Sequence, residues 1–192
     1  MFNFKTCAQP TCNTYICGEG PFCFRHSPNK EELHSACIAS LLGKEDVLDL
    51  SLTGDEFEDL IIPKKGFISS NMAWCTFRNV DFSGSTFITS FFDFCLFEGC
   101  RFNGITSRYS IFSGSKMLDC DFSGSSITHT NFVGIDTLGC NFGDCDLYYS
   151  NFGTSFIRDT DFIDCNLKKA DFANTNQRRV SFRYSNYEEA HH

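Results

Sequence analysis

"CDFSGSSITHTNFVGIDTLGCNFGD", Cys120 to Asp144, carries the pattern that decides the fold. Its Phe122, Phe132 and Phe142 stand ten residues apart, and its opening tetrad DFSG also occurs, letter for letter, at Asp81–Gly84. Working outward in tens, every position from Phe82 to Phe182 is Phe without a miss. The positions midway between are Phe77, Phe87, Phe97, Ser107, Met117, Ile127, Thr137, Leu147, Ile157, Leu167, Gln177 and Tyr187, which are mostly apolar. Two residues before each of these centres, from Cys75 to Ser185, almost every residue is small.

A period of five matches neither the 3.6 of a helix nor the 2 of a strand. It suits a solenoid, in which each five-residue unit forms one side of a coil and stacks on the units above and below. A large and a small residue two positions apart then both point inward and fill the tube. Gly84, Gly104, Gly114, Gly124 and Gly134, each two places after a Phe, suit the corners. Phe at every tenth position puts Phe on two opposite sides of a four-sided coil, and the two DFSG copies fall two coils apart on one side. With neighbouring strands about 4.8 Å apart, about six coils make a tower of roughly 29 Å. Weaker centres at Leu52, Phe57, Ile62, Phe67 and Met72 keep the phase, so the tower begins before its regular part.

These residues resemble the pentapeptide-repeat proteins, whose unit is a small residue, Asp or Asn, Leu or Phe, then two polar positions. "CDFSG" from Cys120, "TNFVG" from Thr130, "CDLYY" from Cys145, "SNFGT" from Ser150, "TDFID" from Thr160 and "ADFAN" from Ala170 all fit. The resemblance covers residues 75–187 in one register and implies an all-β solenoid, a right-handed quadrilateral parallel β-helix with four repeats per coil. Cys75, Cys95, Cys100, Cys120, Cys140, Cys145 and Cys165 fall in the small inward slot, so they read as core thiols. A thiol ladder of Cys100, Cys120 and Cys140, at a spacing a disulfide could span, is the alternative, disfavoured in a reducing compartment.

Residues 1–28 belong to a different unit. "CAQPTCNTYICGEGPFCFRH" contains Cys7, Cys12, Cys23 and His26, three thiolates and an imidazole, which make a full tetrahedral set for structural zinc. Cys-x2-His lets one tight turn present the last two ligands, and the segment resembles the small zinc knuckles at the head of some bacterial proteins. Cys17 competes as a ligand, and a metal-free loop is the other reading. So short a stretch needs the metal to order itself. Residues 29–46 predict a capping helix: Asn29 with Glu32 three residues on can start it, and Gly43 ends it. Leu33, Cys37, Ile38, Leu41 and Leu42 form its apolar face, laid over the open end of the solenoid at residues 47–190. His34 and Cys37 could also join a metal site.

Nothing in the chain predicts an enzyme. His26 is taken by metal, His34 lies on the helix and His129 falls at a corner, so no nucleophile–base pair or phosphate loop emerges. The net charge of −8 argues against direct nucleic-acid binding. No apolar run reaches bilayer length, and the opening residues lack a signal-peptide pattern, so the expectation is a cytoplasmic protein.

The leading expectation is a non-enzymatic scaffold for protein–protein interaction. Some family members are DNA mimics that bind type II topoisomerase (gyrase) and protect it from inhibitors, which makes such a mimic the second expectation. Residues 81–164 hold 11 acidic and 4 basic residues, and the test is whether the acidic ones share a face. Against it stand five basic residues, Lys168, Lys169, Arg178, Arg179 and Arg183, at the far end, and a register without projecting loops. A structural or redox role for the cysteines is the third. The family also pairs end to end, and Phe182, Tyr184 and Tyr187 could serve a homodimer, although Gln177 at an inward centre loosens that coil.

Overall fold

The five-residue register closes into a four-sided parallel solenoid. The structure, a computed structural model, describes residues 4–18, 20–43, 45–62 and 64–192. Each residue of the tower pairs with the one twenty places on: Phe57 with Phe77, Thr106 with Ser126, Asp121 with Asn141. Side one carries Val47–Leu48, Gly66–Ile68, Thr86–Ile88, Thr106–Arg108 and Ser126–Thr128. Side three, opposite, runs from Glu56–Glu58 to Asn176–Arg178 in a second parallel sheet. Sides two and four are ladders of single bridges, through Ser51, Asn71 and Phe91 and through Ile61, Asp81 and Arg101. From Val47 to His191 this makes about seven turns, one more than the sequence count, because the imperfect centres from Leu52 to Met72 are all buried in the same register.

Packing explains why Phe recurs. Phe82, Phe102, Phe122, Phe142 and Phe162 form one column, with centroids 5.1, 4.6, 4.7 and 5.0 Å apart and near-parallel planes. Phe92, Phe112, Phe132 and Phe152 form the facing column, and rings of the two columns meet edge to face, as Phe112 and Phe122 do. Offset stacking within a column and edge contacts across it are both favourable ring geometries. The corners take left-handed backbone, as at Gly114 with φ 66°. A Cβ there would come within 2.6 Å of the Phe94 ring, so only glycine lets that ring lie over the corner.

The small inward slot does more than save space. Its side chain donates to the carbonyl twenty-three residues back: Ser125 to Phe102 at 2.9 Å, Ser150 to Ile127 at 2.7 Å, Cys145 to Phe122 at 3.1 Å and Cys165 to Phe142 at 2.9 Å. Ser, Thr and Cys interchange in this slot because each is small and each can donate. All twelve cysteines are free thiols, and those of the tower are buried.

The helix spans Lys30–Leu42. Asn29 accepts from the Glu32 backbone N–H, and its amide donates to the Glu32 carboxylate at 2.7 Å, a reciprocal cap. Cys37 and Leu41 join the core beside Leu52 and Phe57, and Leu33 and Ile38 pack partly against it. Leu42, expected on that face, is instead exposed.

Two slots of the first coil carry a charge, and both hold the helix. Asp55, in the slot before Phe57, faces His34 at 2.9 Å. Lys65, in the slot before Phe67, donates to the Ser40 and Gly43 carbonyls at 2.8 Å, filling acceptors that the helix end leaves open. Burial lowers the Lys65 amine and raises the Asp55 carboxyl. Among the described residues no helix is long and apolar enough to cross a membrane.

Candidate metal centre

The head is a pair of turns facing each other. Thr6 and Tyr15 bridge antiparallel, Cys7 N–H donates to the Thr14 carbonyl, and the turn between them closes with Cys12 N–H on the Gln9 carbonyl. These bonds bring Cys7 and Cys12 to one side. On the other, Cys23 precedes the 3-10 turn Phe24–His26, whose His26 N–H returns to the Cys23 carbonyl at 3.1 Å. Ala8 N–H on the Pro21 carbonyl at 2.8 Å joins the two halves.

Cys7, Cys12, Cys23 and His26 thereby converge, with all four ligand atoms within 4.8 Å of one another. Sγ of Cys23 is 3.4 Å from His26 Nδ1, Sγ of Cys7 is 3.6 Å from it, and the Cys12 and Cys23 sulfurs are 4.0 Å apart. Zinc–sulfur bonds of about 2.3 Å and zinc–nitrogen bonds of about 2.0 Å at tetrahedral angles require about 3.8 Å between sulfurs and about 3.6 Å from sulfur to nitrogen. The donors fit that set in type and in spacing. Hydrogen bonds from the Thr14 backbone and hydroxyl lower the Cys12 thiol to about 6, while burial raises that of Cys23. A thiolate is the form that ligates metal. Four protein donors leave no open position, so such a centre orders chain and activates no water.

Cys17 does not join this set. It turns the other way, its sulfur 3.2 Å from that of Cys37 on the helix, with Asp55 completing a second buried group. Here the sulfurs are closer than a shared tetrahedral metal would hold them, at about 3.8 Å. Thiol-to-thiol and thiol-to-carboxylate hydrogen bonds satisfy the group without an ion. His34 likewise faces Asp55 and stacks on Phe57 at 5.8 Å, away from the head cluster. His129, placed at a corner by the register, stacks with Tyr149 at 5.2 Å. What the sequence reading missed is the anchoring by Asp55 and Lys65. Both are charged residues in a slot otherwise small or apolar, a signal visible once the register is carried back to the first coil.

The model of the pentapeptide-repeat family matches residues 67–104 in eight copies, within a tower that keeps the same register throughout. The chain is a pentapeptide-repeat protein. Among solved pentapeptide-repeat structures, a trypsin-treated variant of QnrB1, a plasmid-mediated fluoroquinolone resistance protein, is 18% identical with a TM-score of 0.50, over 73% of this chain and 78% of that one. HetL, involved in heterocyst differentiation regulation in the cyanobacterium Nostoc, is 12% identical with a TM-score of 0.36, over 86% and 97%. A pentapeptide-repeat protein of the Arabidopsis thaliana thylakoid lumen is 31% identical with a TM-score of 0.35, over 42% and 59%. The likeness to QnrB1 speaks to the fold alone. No curated protein matches the chain.

Proposed function

We propose that this pentapeptide-repeat protein is a non-enzymatic scaffold for protein–protein interaction in the cytoplasm, and that Cys7, Cys12, Cys23 and His26 hold a structural zinc ion that orders its head. The supporting observation is the division of a rigid surface into sides of different chemistry. Side three alternates charge, with Arg78 bridging Glu56 and Glu98 at 3.3 and 2.8 Å and Arg158 paired with Asp136. A repeated array of outward side chains on a fixed frame is a binding surface of the kind solenoids offer. A homodimer through the C-terminal coil belongs to the same reading, since Phe182 and Tyr187 end the core stacked at 3.9 Å and Tyr184 is 81% exposed.

One observation favours the second reading, a DNA mimic for type II topoisomerase. Of the acidic residues between 81 and 164, Asp81, Asp119, Asp121, Asp144, Asp159, Asp161 and Asp164 lie on side four or its two bordering corners, and Asp93, Glu98, Asp136 and Asp146 lie elsewhere. Asp81 is paired with Arg101 and Asp159 with Arg179, whereas Asp119, Asp144, Asp161 and Asp164 have no ion pair among the described residues. That negative side of a stiff rod, and a fold shared with a fluoroquinolone resistance protein, support the mimic. The pairing with Arg and the basic far end keep it second.

Cross-linked capture from cell extract, with the zinc-loaded chain and an Asp121, Asp144, Asp161 and Asp164 to Asn variant as baits, separates the two. A reproducible protein partner retained by the variant supports the scaffold. A type II topoisomerase lost with the variant establishes the mimic. Recovery of no reproducible partner refutes both.

A further inference from the structure

The head does not lie flat against the tower. Where it crosses side two a cleft of about 480 Å³ opens, walled by Phe4 and Tyr15 of the head and by Asn71, Trp74, Phe91 and Asp93 of the tower. The Phe4 ring meets Tyr15 at 5.4 Å and 52° and Phe91 at 6.2 Å and 80°, so the aromatic walls face several directions. Tyr15 is 41% and Trp74 61% exposed.

The register shows that packing does not ask for these rings. Two places after a centre, Gly84, Gly104, Gly114, Gly124 and Gly134 turn the corner. At Trp74 and Phe94 rings hold the same left-handed backbone, with φ of 63° and 56°, as do Tyr109, Tyr149 and Tyr184 at other corners. Trp74 stacks on Phe94 at 4.4 Å, which fixes its plane beside the cleft. Phe91 stands where the repeat prefers Asp or Asn. Phe91, a departure from the repeat of the kind expected at functional sites, thus meets the outward Trp74 ring and the head's Phe4 and Tyr15 here.

Charge identifies the ligand. Among the described residues Asp93 is the one charged residue on the lining, and its carboxylate has no cation and no partner side chain there. Burial raises its carboxyl, so a cation in the cleft would relieve it. Asn71 Oδ1 already takes the Ala73 N–H at 3.0 Å, and the Tyr15 carbonyl takes the Thr53 hydroxyl at 3.1 Å. A bare ammonium brings three donors that need acceptors, whereas a methylated one offers a low-hydration positive face to aromatic rings.

We propose that this cleft binds a methylated ammonium group, the side chain of a methyl-lysine carried on a partner protein. That the carrier is a protein rests on the scaffold reading, and the chemistry of the cleft does not. Trp74 is the only tryptophan in the chain, so its fluorescence reports this cleft directly. Titration of the full-length protein with N-acetyl-trimethyl-lysine amide should give a saturable change. Binding should be on the order of tenfold tighter than for the unmethylated lysine amide, the arginine amide or a neutral tert-butyl isostere, since cation–π attraction depends on charge and weak hydration. Asp93→Asn should weaken it on the order of tenfold. Trp74→Gly, which puts at this corner the residue that turns it at Gly114 and Gly134 and so preserves the fold, should abolish it by calorimetry. Equal binding of the neutral isostere or the arginine amide, or the lack of a saturable change, would overturn the proposal. Binding of the amide together with an empty capture experiment would support the cleft and count against the scaffold.

Discussion

Replacing Phe122 by Ala removes a fully buried ring from the middle of its column. The ring lies 4.6 Å from Phe102 and 4.7 Å from Phe142, within 4° of parallel to both, and meets Phe112 and Phe132 edge to face. Losing the transfer energy of the side chain, and leaving a cavity its neighbours cannot fill because each is locked to its own coil, should cost about 3–5 kcal/mol. Against a typical total stability of about 5–15 kcal/mol that is a large fraction. Phe182 is the control. It is only partly buried, has one column neighbour, Phe162 at 5.3 Å, and leans on Tyr187, so its Ala variant should cost about 1–2 kcal/mol. Denaturant unfolding followed by far-ultraviolet circular dichroism measures both. Amide exchange resolved by coil guards against partial unfolding of the kind solenoids allow. Equal costs at the two sites, or less than about 1 kcal/mol at Phe122, would refute the packing argument.

Ser125→Ala removes the hydroxyl's bond to the Phe102 carbonyl, leaving that carbonyl only the Ile105 N–H at 3.3 Å, and should cost about 1–2 kcal/mol, while Cys145→Ser keeps a donor and should stay within about 1 kcal/mol of the parent; the reverse order would show that the slot selects for size alone. In the native, metal-stripped chain Cys12 should react with a thiol reagent near neutral pH, its thiol being lowered to about 6. Cys165 and Cys145, raised by burial to about 11 and about 12, should stay unlabelled until unfolding. Rapid labelling of tower thiols would instead revive a redox role for them. The Arg179 guanidinium holds the Asp159 carboxyl below its ordinary 3.8. A depressed carboxyl stabilises the fold above its unfolded value and loses that contribution as pH falls through the folded one. Arg179→Gln should therefore return the Asp159 titration, followed by NMR, to the ordinary range, and an unchanged titration would mean the pair does not form in solution.

The tower was legible because its signal is one-dimensional: Phe at every tenth residue from Phe82 to Phe182 fixes side, face and register together. The helix boundaries were legible for a similar reason, since Asn29, Glu32 and Gly43 act on their own neighbourhood. Contacts between units were not. Cys17 sits among the head cysteines in sequence, and only the docking of the helix brings it against Cys37. The aromatic cleft is formed by Tyr15 and Trp74, fifty-nine residues apart, and no periodicity relates them. The donor role of the small slot was also hidden, because a preference for Ser, Thr and Cys reads equally well as a preference for small volume.

The claim that the head is built around a metal is tested most directly by native mass spectrometry of the full-length chain, purified without chelator. One zinc ion per chain is predicted, lost in Cys23→Ser and kept in Cys17→Ser. A parent chain without zinc, or a zinc ion that survives Cys23→Ser and leaves with Cys17→Ser, would contradict it.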